Sequence, residues 1–107
     1  MMFVIQVKGK LPFENEVLLG SDRFRFRFYL NERFNRIHCE VMKDSEIIYA
    51  SRLQYSSIFN SMRTGTNLDK HAIFPIDPAD IETNKASHET VTADNFPSKV
   101  KLVCIEL

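Results

Sequence analysis

The sequence predicts an all-β fold: a small antiparallel β-barrel or sandwich with meander hairpins and one short helical turn. Apolar residues recur at every second position in several short runs, turn-forming residues separate these runs, and no long stretch has a helical period. We therefore expect about five to seven short strands. At 107 residues the chain makes one domain, 1–107, which can bury roughly 65% of its unfolded surface.

The composition predicts a core rich in phenylalanine and no overall attraction to charged partners. There are nine Phe and no Trp, and acidic and basic residues balance at 14 each. No net field therefore draws the whole molecule to nucleic acid or anionic lipid. The apolar start, residues 1–7, lacks the flanks of a signal peptide and is too short for a membrane span, so we expect synthesis in the cytoplasm. Cys39 and Cys104 lie in apolar runs and are predicted to be buried, reduced thiols.

Two short strands are predicted at the start of the chain. Residues 3–7, which read FVIQV, form the first, and it ends before Gly9 and Pro12. Residues 13–19 predict a second short extended segment, followed by a break at 20–22.

Residues 22–43 predict the central β-hairpin, because polar and apolar residues alternate strictly in both halves. A four-residue loop at 31–34 gives the pairs Leu30 with Asn35, Phe28 with Ile37, Phe26 with Cys39 and Phe24 with Val41, so almost every apolar residue meets another on one face. On the opposite face this register sets Arg25 against Glu40 and Asp22 against Lys43. The phenylalanines are therefore expected to point into the core and the arginines outward.

Residues 47–53 predict a third strand, joined to the second by the polar turn 43–46. Its register stays open between a two-residue and a three-residue loop. The first would turn inward Ile48 and Ala50, and the second Ile47, Tyr49 and Leu53.

After the third strand, a short helical turn and an edge strand are predicted. Ile58, Phe59 and Met62 could form one apolar stripe of a helical turn or two. Residues 71–76 predict a strand at a sheet edge or ending at Pro75, because proline cannot donate to a ladder.

The end of the chain predicts a long acidic loop and a central strand. Residues 77–95 carry five acidic residues against one lysine and few apolar residues, which favours a long loop or an insertion. Residues 99–107 become apolar on both faces, as expected for a strand with neighbours on both sides.

No catalytic residue, cofactor or metal is predicted. His38, His71 and His88 are scattered, and no Cys-x-x-Cys, His-x-x-x-His or glycine-rich phosphate loop occurs. A zinc site from Cys39, Cys104 and His71 is conceivable if strands converge, but the spacing does not favour it. We therefore expect no enzyme.

The strongest electrostatic feature is a set of five arginines in the hairpin: Arg23, Arg25, Arg27, Arg33 and Arg36. It has three interpretations: a nucleic-acid surface, a solvated face paired with acidic residues such as Glu40, Asp22 or the 77–95 loop, or a protein interface. Because the phenylalanines point the other way, only Tyr29 and Phe34 could stack on bases. Phe34, at the hairpin tip, either folds back onto the core or anchors a partner.

The order of features resembles the baseplate plug family of contractile-tailed bacteriophages. The resemblance covers roughly residues 17–107. It rests on the VLLG run before the alternating strand, the Asn-x-Arg turn at 31–33, and the segment TADNF at 92–96 before a Val-x-Leu-Val strand. Two features depart from the family pattern, since the chain has no aromatic residue at 37–39 and no glycine-rich stretch at 55–62.

The resemblance implies a structural virion protein without catalysis, made in the host cytoplasm and located in the tail baseplate. It would be a plug or hub component at the lower end of the tail tube. The implied partners are tail hub, tube, spike or tape-measure proteins, with several copies in three-fold symmetry. The alternative function is an OB-like module that binds single-stranded nucleic acid through Arg23, Arg25, Arg27, Arg33 and Tyr29.

Ten residues are predicted to form the partner interface. They are Arg23, Arg25, Arg27, Arg33, Phe34, Arg36, Asp77, Asp80, Glu82 and Glu89.

Overall fold

The computed structural model describes residues 2–5, 7, 11–79 and 90–107. Across these ranges the strands are β1 (Met2–Ile5), β2 (Phe13–Leu19), β3 (Asp22–Asn31), β4 (Arg36–Lys43), β5 (Glu46–Arg52), β6 (His71–Ile76) and β7 (Lys101–Glu106). One 3-10 turn, Asn67–Lys70, comes directly before β6. None of the described residues belongs to a helix long and apolar enough to cross a membrane.

The strands form two antiparallel sheets. One is the meander β2-β3-β4-β5, and the other has the order β1-β7-β6. The all-β prediction is therefore confirmed, and because the sheets do not close on each other, the barrel alternative is wrong. The prediction of a central last strand and an edge strand containing Pro75 is also confirmed, since β7 lies between β1 and β6.

A single core unites the apolar faces of both sheets. The meander sheet contributes the alternating phenylalanines of β3 and their β4 neighbours, and the second sheet contributes Ile73, Leu102 and Cys104. Phe28 is completely buried. Its ring centroid lies 5.3 Å from that of Phe13 and 5.6 Å from that of Phe96. Aromatic pairs at such separations stabilise a core beyond the area they bury.

The predicted register of the central hairpin is wrong by two residues. Phe28 faces Cys39 instead of Ile37, and Arg27 instead of Arg25 faces Glu40. The cause is local: Asn35 has a φ of 48° and belongs to the loop, so the loop is 32–35. A two-residue shift keeps every side chain on its predicted face, so the inward phenylalanines and outward arginines are confirmed.

The β4–β5 connection combines the two registers left open by the sequence. Asp44 and Ser45, with φ values of 53° and 67°, form a two-residue turn whose backbone suits a hairpin. A β-bulge next to Val41 then places Tyr49 opposite that residue and leaves Ile47 exposed. The half-buried Ile48 and Tyr49 consequently both pack against the core.

The helical turn predicted around residues 58–62 is wrong. Phe59 is buried, but Ile58 and Met62 are exposed, and this segment runs beside β6 without a helix. The Phe59 amide donates to the Ile73 carbonyl at 2.6 Å. Asn60 accepts from the Ile73 amide at 3.1 Å and donates to two carbonyls, so long-range hydrogen bonds replace the local helical ones.

Two aspartates fix the loop before β6. The Asp22 carboxylate accepts from the Asn67 amide at 2.9 Å and forms the predicted ion pair with Lys43, at 3.5 Å. Asp69 accepts from the amides of Thr64 and Gly65, each at 2.8 Å. These backbone hydrogen bonds hold the pKa values of both carboxyl groups below their ordinary values.

Replacing Phe28 with alanine should lower the free energy of unfolding by about 3–5 kcal/mol, because it opens a cavity among aromatic rings. The matched control is Phe34→Ala, which changes the exposed tip and should cost less than about 0.5 kcal/mol. Urea unfolding measures both. Should Phe28→Ala fail to fold, Phe28→Leu should cost roughly 1–1.5 kcal/mol. Equal losses at the two positions would contradict the core assignment.

Acid should lower the free energy of unfolding, because it protonates the carboxylates of Asp22 and Asp69. A carboxyl group whose pKa is lowered by folding stabilises the folded state above its unfolded pKa, and that contribution disappears as pH falls through the folded pKa. Asp22→Asn and Asp69→Asn should therefore lower the free energy of unfolding at pH ~6, and their difference from the wild type should shrink below pH ~4. Denaturant unfolding at both pH values checks this. A difference independent of pH would show that these carboxylates do not act through their charge.

Candidate interaction surfaces

The outward face of the meander sheet carries a row of charged side chains. Arg23, Arg25 and Arg27 point outward from β3 and are exposed. Each forms an ion pair with a glutamate on a neighbouring strand, and the pairs are Arg23–Glu16 at 3.1 Å, Arg25–Glu14 at 3.8 Å and Arg27–Glu40 at 3.8 Å. We call these six residues the charged ladder.

The charged ladder has alternating sign, so the described part of this face is not a continuous cationic track. Single-strand binders follow phosphates along a positive groove, which the Glu14 and Glu16 carboxylates interrupt. Of these three glutamates, only Glu40 was predicted from the sequence as a partner of the arginines. The sequence does contain a signal for Glu14 and Glu16, because both alternate with more buried residues in β2 and so point outward. Strand β2 pairs with β3, which carries the arginines. The nucleic-acid alternative stays a prediction.

The hairpin tip is exposed. The Phe34 side chain is 59% exposed, so the interpretation that it folds back onto the core is wrong. The guanidinium of Arg33 lies 5.2 Å from the centre of the Phe34 ring, within cation–π distance. An aromatic ring and a cation therefore stand together on the surface, a combination enriched at protein interfaces.

Hydrogen bonds hold the tip in place. Asn35 donates to the Asp94 carboxylate and accepts from the Ala93 amide, both at 3.3 Å. Arg36 donates to the Phe34 carbonyl at 3.0 Å. The tip is thus tied to a segment 58 residues further along the chain and presents Phe34 in a defined position.

The segment that holds the tip is itself anchored in the core. Asn95 accepts from the Thr92 amide at 2.9 Å and donates to the Thr90 carbonyl at 2.6 Å. Phe96 is buried against Phe28. The TADNF segment thereby links the end of the 77–95 region to both the core and the tip.

Beside the tip, three strands surround a surface hollow of about 360 Å³. Its lining residues are Asn31 of β3, Phe34 of the tip, Arg36 and His38 of β4, and Arg52 of β5. Asn31 faces Arg36 and His38 faces Arg52 in the strand ladders. His38 and Arg52 were not predicted as site residues, because only the β4–β5 pairing brings Arg52 beside His38 and Arg36.

The predicted acidic surface is only partly visible. Asp77 is half-buried, and its carboxylate accepts from the Ala79 amide at 3.0 Å. Its own amide donates to the Tyr55 hydroxyl at 3.0 Å. Asp80, Glu82 and Glu89 lie outside the described residues, so the acidic part of the predicted interface stays a prediction.

The two cysteines are buried and form no disulfide. Burial raises the pKa of the Cys39 thiol well above its ordinary value and that of Cys104 to about 11, so both are neutral near pH 7. In the described ranges no three His, Cys, Asp or Glu side chains cluster closely enough to hold a metal ion.

Comparison with protein-family models gives a match over nearly the whole chain. Residues 2–106 match the family model described as cyanophage baseplate Pam3 plug gp18. A search of curated proteins finds no match to the chain.

The three ion pairs of the charged ladder should differ in their effect on stability. The Arg23 and Glu16 side chains are 74% and 62% exposed, so Arg23→Met should change the free energy of unfolding by less than about 1 kcal/mol. The Glu40 side chain is only 19% exposed, and Arg27→Met leaves it without its cation, which should cost about 1–2 kcal/mol. Methionine keeps the apolar stem in both variants. Urea unfolding that gives equal losses would refute the ranking.

Proposed function

The chain belongs to the cyanophage baseplate Pam3 plug gp18 family, and on this premise we propose that it is a structural virion protein of a contractile phage tail. It acts without catalysis, as a baseplate plug or hub component packed at the lower end of the tail tube. The family match over residues 2–106 carries this proposal. The protein is made in the host cytoplasm and assembles there into the tail.

The described surface supports a packing role. A plug held between larger proteins needs a compact body and complementary contacts, and the two sheets share one core while the tip exposes Phe34 and Arg33. The partners in this proposal are hub, tube, spike or tape-measure proteins. Several copies follow the three-fold symmetry of the hub, with the charged ladder and the acidic 77–95 region setting the orientation of each copy.

Purified virions test the proposal. We expect mass spectrometry of intact tails to detect this chain, chemical cross-linking to join it to hub or tube proteins, and its copy number per tail to be a multiple of three. Intact tails that contain no trace of the chain would rule the proposal out.

Complementation of a phage lacking the gene tests the tip. Phe34→Ser should reduce the amount of this chain in purified tails, because it removes the exposed aromatic anchor. The control is Leu18→Ser, which changes another exposed apolar side chain, opposite Arg23 and so at the other end of β3 from the tip. Equal incorporation of both variants would exclude Phe34 as an anchor.

A further inference from the structure

The hollow beside the tip concentrates positive charge that has no partner within the described chain. Two of its five lining residues, Arg36 and Arg52, carry guanidinium groups. Among the residues that the structure describes, no carboxylate lies within 4.0 Å of either guanidinium. In the adjoining charged ladder, by contrast, each arginine already forms an ion pair with a glutamate.

Two of the lining side chains, Arg36 and His38, are held in position before any ligand arrives. Arg36 uses one terminal nitrogen, Nη1, to donate to the carbonyls of Phe34 and Asn35. Its remaining N–H groups have no recorded acceptor among the described residues. The His38 ring stacks on Tyr29, with ring centres 5.4 Å apart and planes at 17°. Ordering these two side chains on binding therefore costs little conformational entropy.

The chemistry of the lining matches a carboxylate. A guanidinium presents planar, paired N–H donors that fit the two oxygens of a carboxylate. Asn31 adds an amide at the rim, and Phe34 supplies an apolar wall for a side-chain stem. At about 360 Å³, the hollow is at the small end of the range for ligand pockets, roughly 300–1,000 Å³, and takes one or two side chains.

We propose that the hollow formed by Asn31, Phe34, Arg36, His38 and Arg52 is a docking site for Asp or Glu side chains in an acidic segment of a partner protein. That the partner is a tail protein rests on the proposed function, whereas the carboxylate chemistry rests on the hollow alone. A protein segment fits better than nucleic acid. A polynucleotide needs successive phosphate contacts, and the glutamates of the charged ladder lie along the same face.

A peptide titration of the isotopically labelled, full-length protein tests the site. The probe is a capped hexapeptide of alternating Asp and Glu, added at low ionic strength. We expect amide shifts in residues 31–38 and at Arg52, the region of the hollow. Arg52→Gln should weaken binding about five-fold, the effect of losing one solvent-exposed charge pair.

Matched controls separate this site from general charge attraction. Arg23→Gln makes the same charge change on the same face, but the Arg23 guanidinium already forms an ion pair with Glu16, so affinity should stay within about two-fold of wild type. A capped hexapeptide of alternating Asn and Gln should not bind. Both variants change exposed residues, and thermal unfolding confirms that they fold.

Three results would overturn the proposal: no peptide binding, shifts centred away from the hollow, or equal losses in Arg52→Gln and Arg23→Gln. Tighter binding of oligo-dT than of the acidic peptide at the same residues would also overturn it in favour of phosphate recognition. These outcomes concern the purified protein only. If the peptide does not bind but the chain is detected in intact tails, the docking proposal is wrong and the proposed function is still supported. If the peptide binds at the hollow but tails contain no trace of the chain, the proposed function is wrong and the carboxylate site is still supported.

Discussion

The alternation of side chains along β3 is the constraint on which both surfaces of the protein depend. Because successive residues of a strand point to opposite faces, the three phenylalanines of β3 enter the core and the three arginines that alternate with them must face outward. Phe28 then packs between Phe13 of β2 and Phe96 near the start of β7, which joins the two sheets. The same strand thus determines the core and the charged ladder.

The faces of the strands could be predicted from the sequence, but their exact pairing could not. A two-residue shift leaves the burial of every residue unchanged, so hydrophobic pattern alone cannot distinguish the predicted pair Phe28–Ile37 from the observed Phe28–Cys39. The left-handed backbone at Asn35 selects the register. The bulge beside Val41 could not be predicted either, because it depends on backbone geometry. The Asn60 hydrogen bonds could not be predicted because their partners are distant in the sequence.

The candidate surfaces show the same division. The arginines of β3 and the exposed tip could be identified from a single hairpin, because alternation and loop position are local signals. The sequence did not reveal which of those arginines already form ion pairs. Glu14 and Glu16 lie on β2, and the pairing of β2 with β3 was not predicted. The hollow is even harder to predict from the sequence. Arg52 lies opposite His38 only because the β4–β5 turn and its bulge determine the register of these two strands.

Energetics favour the tip over the charged ladder as the place where a partner docks. Burying the charged ladder would remove water from six charged groups that already pair with one another, and the desolvation cost of such pairs commonly cancels the gain. At the tip, the gain from burying apolar surface exceeds the desolvation cost. Phe34 is 59% exposed, so covering its ring gains roughly 25 cal/mol per Å² of apolar area removed from water. Asn35, Arg36 and the 93–94 segment already hold the loop, so little further ordering is required.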